Sequence, residues 1–278
     1  MINITEFFRV IESSSAVSIA IDSGHIYIGG GSNRFVDRAN TGRYDRPLFP
    51  RGFYWKVDGT TITDHLIGGG GVSSSIAIDS GNVHGIVNYN GECYYWKDDG
   101  TNITATVAFR GRGLDIAIDS GDVHIVGNVD TGASSVSPII GEVSARYWKN
   151  GVLIPLNTAV FHSSSSFSVG HSSANSIFID SGNVYIAGSI DYSRYLSFSE
   201  AIYWTNDNFR TFSAHLIETQ GSAITLNSGE IYLAGTGLRR DNSYSSFLGW
   251  GAYYWRGGSM KTLHESSSRP YVSAIVFR

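Results

Sequence analysis

Hydrophobic and polar positions alternate in one short phrase that the chain writes five times. The copies are SIAIDSGHIYIGG (18–30), SIAIDSGNVHGIV (75–87), DIAIDSGDVHIVG (115–127), SIFIDSGNVYIAG (176–188) and SAITLNSGEIYLAG (222–235). Period-two alternation on both sides of an Asp-Ser-Gly step predicts two strands joined by a hairpin. The Asp caps a type I turn in this reading. Gly24, Gly81, Gly121, Gly182 and Gly229 supply the left-handed residue that closes the hairpin with a bulge.

A second phrase follows each copy of the first. It is Tyr54-Trp55-Lys56, Tyr95-Trp96-Lys97, Tyr147-Trp148-Lys149, Tyr203-Trp204-Thr205 and Tyr254-Trp255-Arg256. A weaker third phrase comes next: TTITDHLI, TNITATVAF, GVLIPLNT, RTFSAHLI and SMKTLHE. Each unit therefore reads as four short strands, a to d. The middle of strand a is mostly small (Ala20, Ala77, Ala117, Phe178, Thr225), which suits a crowded inner position. In strand c the adjacent Tyr and Trp point to opposite faces. An open sheet would leave one of them in water. Five repetitions imply that both faces are covered by neighbouring sheets.

Four-stranded units buried on both faces and recurring roughly every 40 to 60 residues predict a β-propeller. The spacing of the turn residues Asp22, Asp79, Asp119, Asp180 and Asn227 is too uneven for a solenoid. No stretch shows a sustained 3.6-residue apolar rhythm, so almost no helix is expected. The fold class is all-β: a single five-bladed β-propeller over residues 1–278, with four-stranded antiparallel blades. NITEFFRV (3–10) sits where a d strand belongs, and YVSAIVF (271–277) looks like another a strand. These surplus terminal strands are expected to seal the closure seam. Six blades are disfavoured because only five b–c pairs exist.

The units resemble WD-repeat propellers in strand order and in the tryptophan of the third strand, without the Gly-His and Trp-Asp signatures. They more closely resemble a bacterial propeller repeat of the form S-I-x-I-D-S-G-N-V-Y-I-A-G … Y-W-K-N-G. That repeat is found in many uncharacterised surface or exported proteins. The likeness covers nearly the whole chain; it implies a fold and says little about activity.

Composition narrows the functional classes. The net charge is −4, and only 16% of residues are charged, so a nucleic-acid coat is not expected and nucleic acid is not a predicted partner. With 42% hydrophobic residues the chain is not disordered. Cys93 is the one cysteine, so no intrachain disulfide forms. No apolar run reaches the length of a membrane span, and the start of the chain shows no signal peptide. An extracellular, cell-surface or virion-surface location is expected from the resemblance and the binding-loop composition.

The four aspartates of the a–b turns could be read as a ring of catalytic or metal-binding carboxylates. Asn227 in the fifth unit keeps the acceptor oxygen and loses the charge, which a turn tolerates and charge-dependent chemistry does not. IGGGGVSSS (67–75) lacks the Lys-Ser/Thr ending of a phosphate loop and reads as a d–a connection. His84 and His124 share a repeat position with Tyr27, Tyr185 and Tyr232, which makes it an aromatic packing slot rather than a metal pair. No metal site and no cofactor is expected.

The b–c connections vary widely in length, and long loops on a rigid scaffold are where binding usually lives. The first holds Arg34, Arg38, Arg43, Tyr44, Arg46 and Arg51. The fourth holds Tyr192, Arg194 and Tyr195, and the fifth Arg239, Arg240, Tyr244, Phe247 and Trp250. Arginine forks match carboxylates and phosphates, and aromatic faces stack on sugars. The same groups could instead pack the loops together and pair with Asp37, Asp45 and Asp241. The expectation is a non-catalytic recognition module, more likely not an enzyme. It would bind an anionic glycan or protein surface through one continuous patch formed by the first and fifth b–c loops. The alternative is a glycan-cleaving enzyme. For that reading Asp115 is the one acid near the start of a strand a, and Asp130, Glu142, Asp191 and Glu200 are the rim candidates. A third reading is a structural component that joins a larger assembly through its terminal strands.

Overall fold

The structure is a computed structural model, and it describes residues 13–33, 51–69, 71–130, 143–156, 168–193, 198–206, 208–212, 216–240 and 247–276. Its twenty strands form five four-stranded antiparallel sheets, each in plain sequence order. The first is β1 (Ser13–Asp22), β2 (His25–Asn33), β3 (Arg51–Asp58) and β4 (Thr61–Gly69). The second is β5 (Val72–Asp79), β6 (Asn82–Tyr89), β7 (Glu92–Asp98) and β8 (Ile103–Arg110). The third is β9 (Arg112–Asp119), β10 (Asp122–Asp130), β11 (Val143–Lys149) and β12 (Val152–Pro155). The fourth is β13 (Ser168–Asp180), β14 (Asn183–Ser193), β15 (Phe198–Thr205) and β16 (Asn208–Phe212). The fifth is β17 (Leu216–Asn227), β18 (Glu230–Arg240), β19 (Phe247–Arg256) and β20 (Ser259–Ser266). These are the blades of an all-β, five-bladed propeller, and no helix occurs among the described residues. Two compact units divide the chain at residues 1–123 and 124–278.

The a–b turns are tighter than the sequence predicts. Asp79 pairs directly with Asn82, and Asp180 with Asn183, so each loop has two residues and no bulge. Both loop residues are left-handed: Ser181 has φ 50° and Gly182 φ 77°. That is the primed turn whose twist matches a hairpin. The Asp side chain still contributes locally, since Ser80 Oγ donates to Asp79 Oδ1 at 3.2 Å. Asn227 does the same for Ser228 at 3.3 Å, which is why the acid-to-amide exchange is tolerated.

The five strand-c tryptophans are all buried, with Trp96 at 0% exposure. Glycines of strand b make the room. A Cβ at Gly30 would lie 2.9 Å from the Trp55 ring, and one at Gly188 would lie 2.8 Å from the Trp204 ring. In the first unit, Tyr54 of one sheet stacks on Trp96 of the next, with centroids 5.5 Å apart, beside Ile76 and Val83. In the second unit, Trp255 packs with Tyr203, Leu233 and Tyr253, and Phe212 lies against it. The shared aromatic slot is also present. His84 Nδ1 meets Tyr95 Oη at 2.7 Å, while Tyr232 stacks on Tyr254. Burial holds the His84 imidazole below its ordinary pKa, so it sits neutral.

Two expectations about the strands need correction, and a third is not tested. The fourth d strand ends at Phe212, and Leu216–Ile217 opens strand a of the fifth blade instead of closing RTFSAHLI. Residues 271–276 form no strand, because no free sheet edge among the described residues pairs with them. NITEFFRV (3–10) lies outside the described residues.

Trp148→Ala should cost about 3–5 kcal/mol in denaturant melts, the usual cost of deleting a buried large aromatic. Gly182→Val should cost about 1–3 kcal/mol through its positive φ, whereas Asp180→Asn should change stability by less than about 0.5 kcal/mol.

Candidate functional site

The fourth and fifth blades depart from the repeat at one end. Their first strands, β13 and β17, run 13 and 12 residues, against 10, 8 and 8 in the other blades. The added residues carry an additional bulge, between Val169 and His171 in β13 and between Ile217 and Gln220 in β17. Bulges next to a strand end re-aim side chains.

The β17 bulge holds Glu218 at φ 53°. Every other left-handed non-glycine residue among the described residues sits in a hairpin turn. A left-handed glutamate inside a strand is strained and persists only when its surroundings over-determine it. Those surroundings are visible. Thr219, next in the chain, is fully buried, and its Oγ1 accepts from Ala201 N at 2.7 Å. Its proton faces Ser199 O at 3.2 Å and Phe212 O at 3.1 Å. The bulge is thus pinned to β15 on both sides of Glu200. Opposite it stands Gly237, where a Cβ would lie 2.9 Å from both Thr219 Cγ2 and Leu216 Cδ1.

Asp191 comes to the same place from β14. It pairs across the sheet with His171 of β13 and with Ser199 of β15, while Glu200 pairs with the neighbouring Ile190. Asp191 is half-buried, and desolvation raises its carboxyl above the usual aspartate range. The Glu218 carboxylate pushes in the same direction. His171 and Arg269 oppose it without cancelling it. A carboxyl whose pKa is raised by desolvation, with the charge of a second carboxylate acting on it, is suited to general acid–base chemistry.

The sequence-derived candidates fall into three groups. Arg34, Arg38, Arg43, Tyr44, Arg46, Glu142, Arg194, Tyr195 and Tyr244 lie outside the described residues, as do most of the first b–c loop and residues 241–246 of the fifth. Arg51, Asp130, Tyr192, Arg240 and Phe247 belong to strands, but their side chains lie outside what is described. The rest are placed. Asp115 Oδ1 accepts from Ser75 Oγ at 2.8 Å and from Ile116 N at 3.0 Å, a bond between successive sheets of the first unit rather than an axial acid. Arg239 is exposed and ion-paired with Glu265 at 2.6 Å, not with Asp241. Trp250 is half-buried beneath the Arg269 guanidinium. Glu218 and Arg269 were missed by sequence reasoning. The one signal for Glu218 was its place in ETQG, a charged stretch between the apolar pair Leu216-Ile217 and the strand-a phrase. Among the described residues, no group of three or more His, Cys, Asp or Glu side chains could hold a metal ion. Nor is any helix long and apolar enough to cross a membrane.

No family model and no curated protein matches the sequence. Several solved structures share its architecture. An exo-1,5-α-L-arabinanase from a bovine ruminal metagenomic library has 10% identity and a TM-score of 0.41, over 91% of this chain and 98% of that one. An α-L-arabinofuranosidase from Clostridium thermocellum has 11% identity and a TM-score of 0.40, over 94% and 96%. A nidogen/laminin complex gives 12% identity and a TM-score of 0.45, over 84% and 79%. Family-43 glycoside hydrolases recur among these structures. The expectation of a non-catalytic recognition module, not an enzyme, is corrected here: the solved structures that share the architecture include several glycoside hydrolases. At such identities the likeness is one of fold, and an activity has to be argued from the chain's own carboxylates.

The raised Asp191 carboxyl has a consequence for stability. Between the ordinary aspartate value of about 3.9 and its raised value, the folded chain binds more protons than the unfolded one, so this group's contribution falls as pH rises. Asp191→Asn removes that loss. In urea melts from about pH 4 to about pH 8 the variant should gain on the wild type as pH rises. Parallel profiles would show that Asp191 is not desolvated.

Proposed function

We propose that the protein hydrolyses glycosidic bonds, with Asp191 as general acid and Glu218 as the second carboxylate. The observation that carries this reading is the bulge of β17: a strained, left-handed Glu218, held by the buried Thr219, whose charge acts on the half-buried Asp191 and adds to the rise that desolvation gives its carboxyl. Glycoside hydrolysis needs such a pair. One carboxyl protonates the leaving oxygen, and the other either activates water or attacks the sugar, while its charge supports an oxocarbenium-like transition state. Unequal environments push the two groups into unequal protonation, which assigns the roles. His171 and Arg269 act against the rise of the Asp191 carboxyl.

Glu200 is a supporting carboxylate, set by its register with Ile190 on the strand to which the bulge is pinned. Arg239 and Trp250, on the same end of the fifth blade, are positioned to contact the rest of a polymeric chain. A substrate of this kind suits a protein acting outside a cell or on a virion surface. The repeat's resemblance to bacterial surface and exported propellers supports that location.

The test begins with a panel of neutral and acidic polysaccharides and aryl glycosides, with reducing-end release as the readout. On a substrate turned over by the wild type, Asp191→Asn and Glu218→Gln should each lower kcat by about 10²–10⁴-fold, with KM little changed. Activity on aryl glycosides with good leaving groups should suffer less in Asp191→Asn, because they need no acid. Undiminished turnover by both variants, or none by the wild type across the panel, would overturn the reading.

A further inference from the structure

The chain after β20 folds back over the end of the fifth blade and places Arg269 there. Ser268 N donates to Ser266 Oγ at 3.2 Å, which starts the reversal. The Arg269 guanidinium then lies 4.7 Å from the centre of the Trp250 ring. Its Nη2 donates to Gln220 Oε1 at 2.9 Å, on the same strand as Glu218. Trp250 is itself fixed by register between Leu238 and Ser266.

This arrangement pre-sets a guanidinium. Stacking on an indole fixes its plane, and the bond to Gln220 fixes its rotation within that plane. Gln220 is a neutral acceptor, and no carboxylate among the described residues lies within ion-pair distance of Arg269. Two other arginines of the fifth blade differ. Arg239 is neutralised by Glu265 and Arg256 by Glu230. Arg269 is also exposed, so the N–H groups not given to Gln220 are open to a ligand. A planar guanidinium with an open edge matches a carboxylate by two parallel hydrogen bonds, a geometry that lysine cannot reproduce. Its charge also reaches Asp191, so a ligand held by Arg269 is held next to the carboxyl pair.

We infer that Arg269, seated on Trp250 and Gln220, is a specificity-determining residue that binds the carboxylate of an acidic sugar, so that the substrate is a uronate-bearing glycan. The inference deepens the glycosidase reading and takes the place of the site from it. The binding it describes needs no turnover.

The experiment measures binding by calorimetry, in the full chain carrying Asp191→Asn so that ligand is not consumed. The probes are a galacturonic acid trisaccharide, its methyl ester and the neutral galactose trisaccharide. The acid should bind at least about tenfold more tightly than either neutral probe, the increment expected of charge-assisted hydrogen bonds. Arg269→Ala should abolish that preference while leaving affinity for the neutral probes within about threefold, the scatter of such contributions. Arg269→Lys should restore only part of it. Melting temperatures separate recognition from structure: if Arg269 merely fastens the chain end, Arg269→Ala lowers the melting temperature and weakens all three probes alike, and the inference fails. It also fails if the acid and its ester bind equally to the Asp191→Asn chain. A preference for the acid that Arg269→Ala removes upholds it even if no glycoside is cleaved by the wild type, in which case only the glycosidase reading falls.

Discussion

Each sheet of this protein has large aromatic rings on both faces, and everything else follows from the need to bury them. A tyrosine and a tryptophan side by side on strand c cannot both be hidden by one neighbour. The described packing meets this sheet against sheet, as where Tyr54 stacks on Trp96 and where Phe212 lies against Trp255. Space is found in strand b, where glycines stand beneath the rings. The blades are therefore fixed by a few repeated volumes, and variation is confined to the ends of the strands.

That confinement explains what could be read from the amino-acid sequence. The order of strands, the five blades and the buried tryptophans are all written in the repeat, because a repeated volume requires a repeated residue. The a–b turn was legible in its residues but not in its type. Ser181 adopts a left-handed backbone that serine seldom takes, and only the direct pairing of Asp180 with Asn183 reveals it. The d strand of the fourth blade was misread because Leu216 and Ile217 are as apolar as a strand d, although they begin β17.

The site was legible only in part. Asp191 and Glu200 were named as rim acids, since a carboxylate in a variable stretch breaks the pattern. Glu218 was not, because its importance comes from a backbone conformation rather than from its identity. A bulge shifts register by a residue and turns a side chain that alternation assigns elsewhere. The cost of holding Glu218 left-handed is offset by the bonds of the buried Thr219 hydroxyl and by the missing side chain at Gly237, which leaves room for Thr219 and Leu216; neither has a sequence signature. Arg269 precedes the segment read as a surplus strand (271–277), and its seat on Trp250 has no sequence signature. Both residues of the proposed site stand where the fifth blade departs from the repeat.

The central claim is that Asp191 is desolvated at this end of the fourth blade and that the charge of Glu218, held by the β17 bulge, adds to the rise of its carboxyl. The most direct measurement is a carboxyl-carbon NMR titration of Asp191 in the wild type and in Glu218→Gln. The account predicts an Asp191 pKa above the ordinary aspartate value of about 3.9 in the wild type, and a fall toward that value when the Glu218 charge is removed. An Asp191 that titrates as an ordinary aspartate, or that is indifferent to Glu218→Gln, would contradict it.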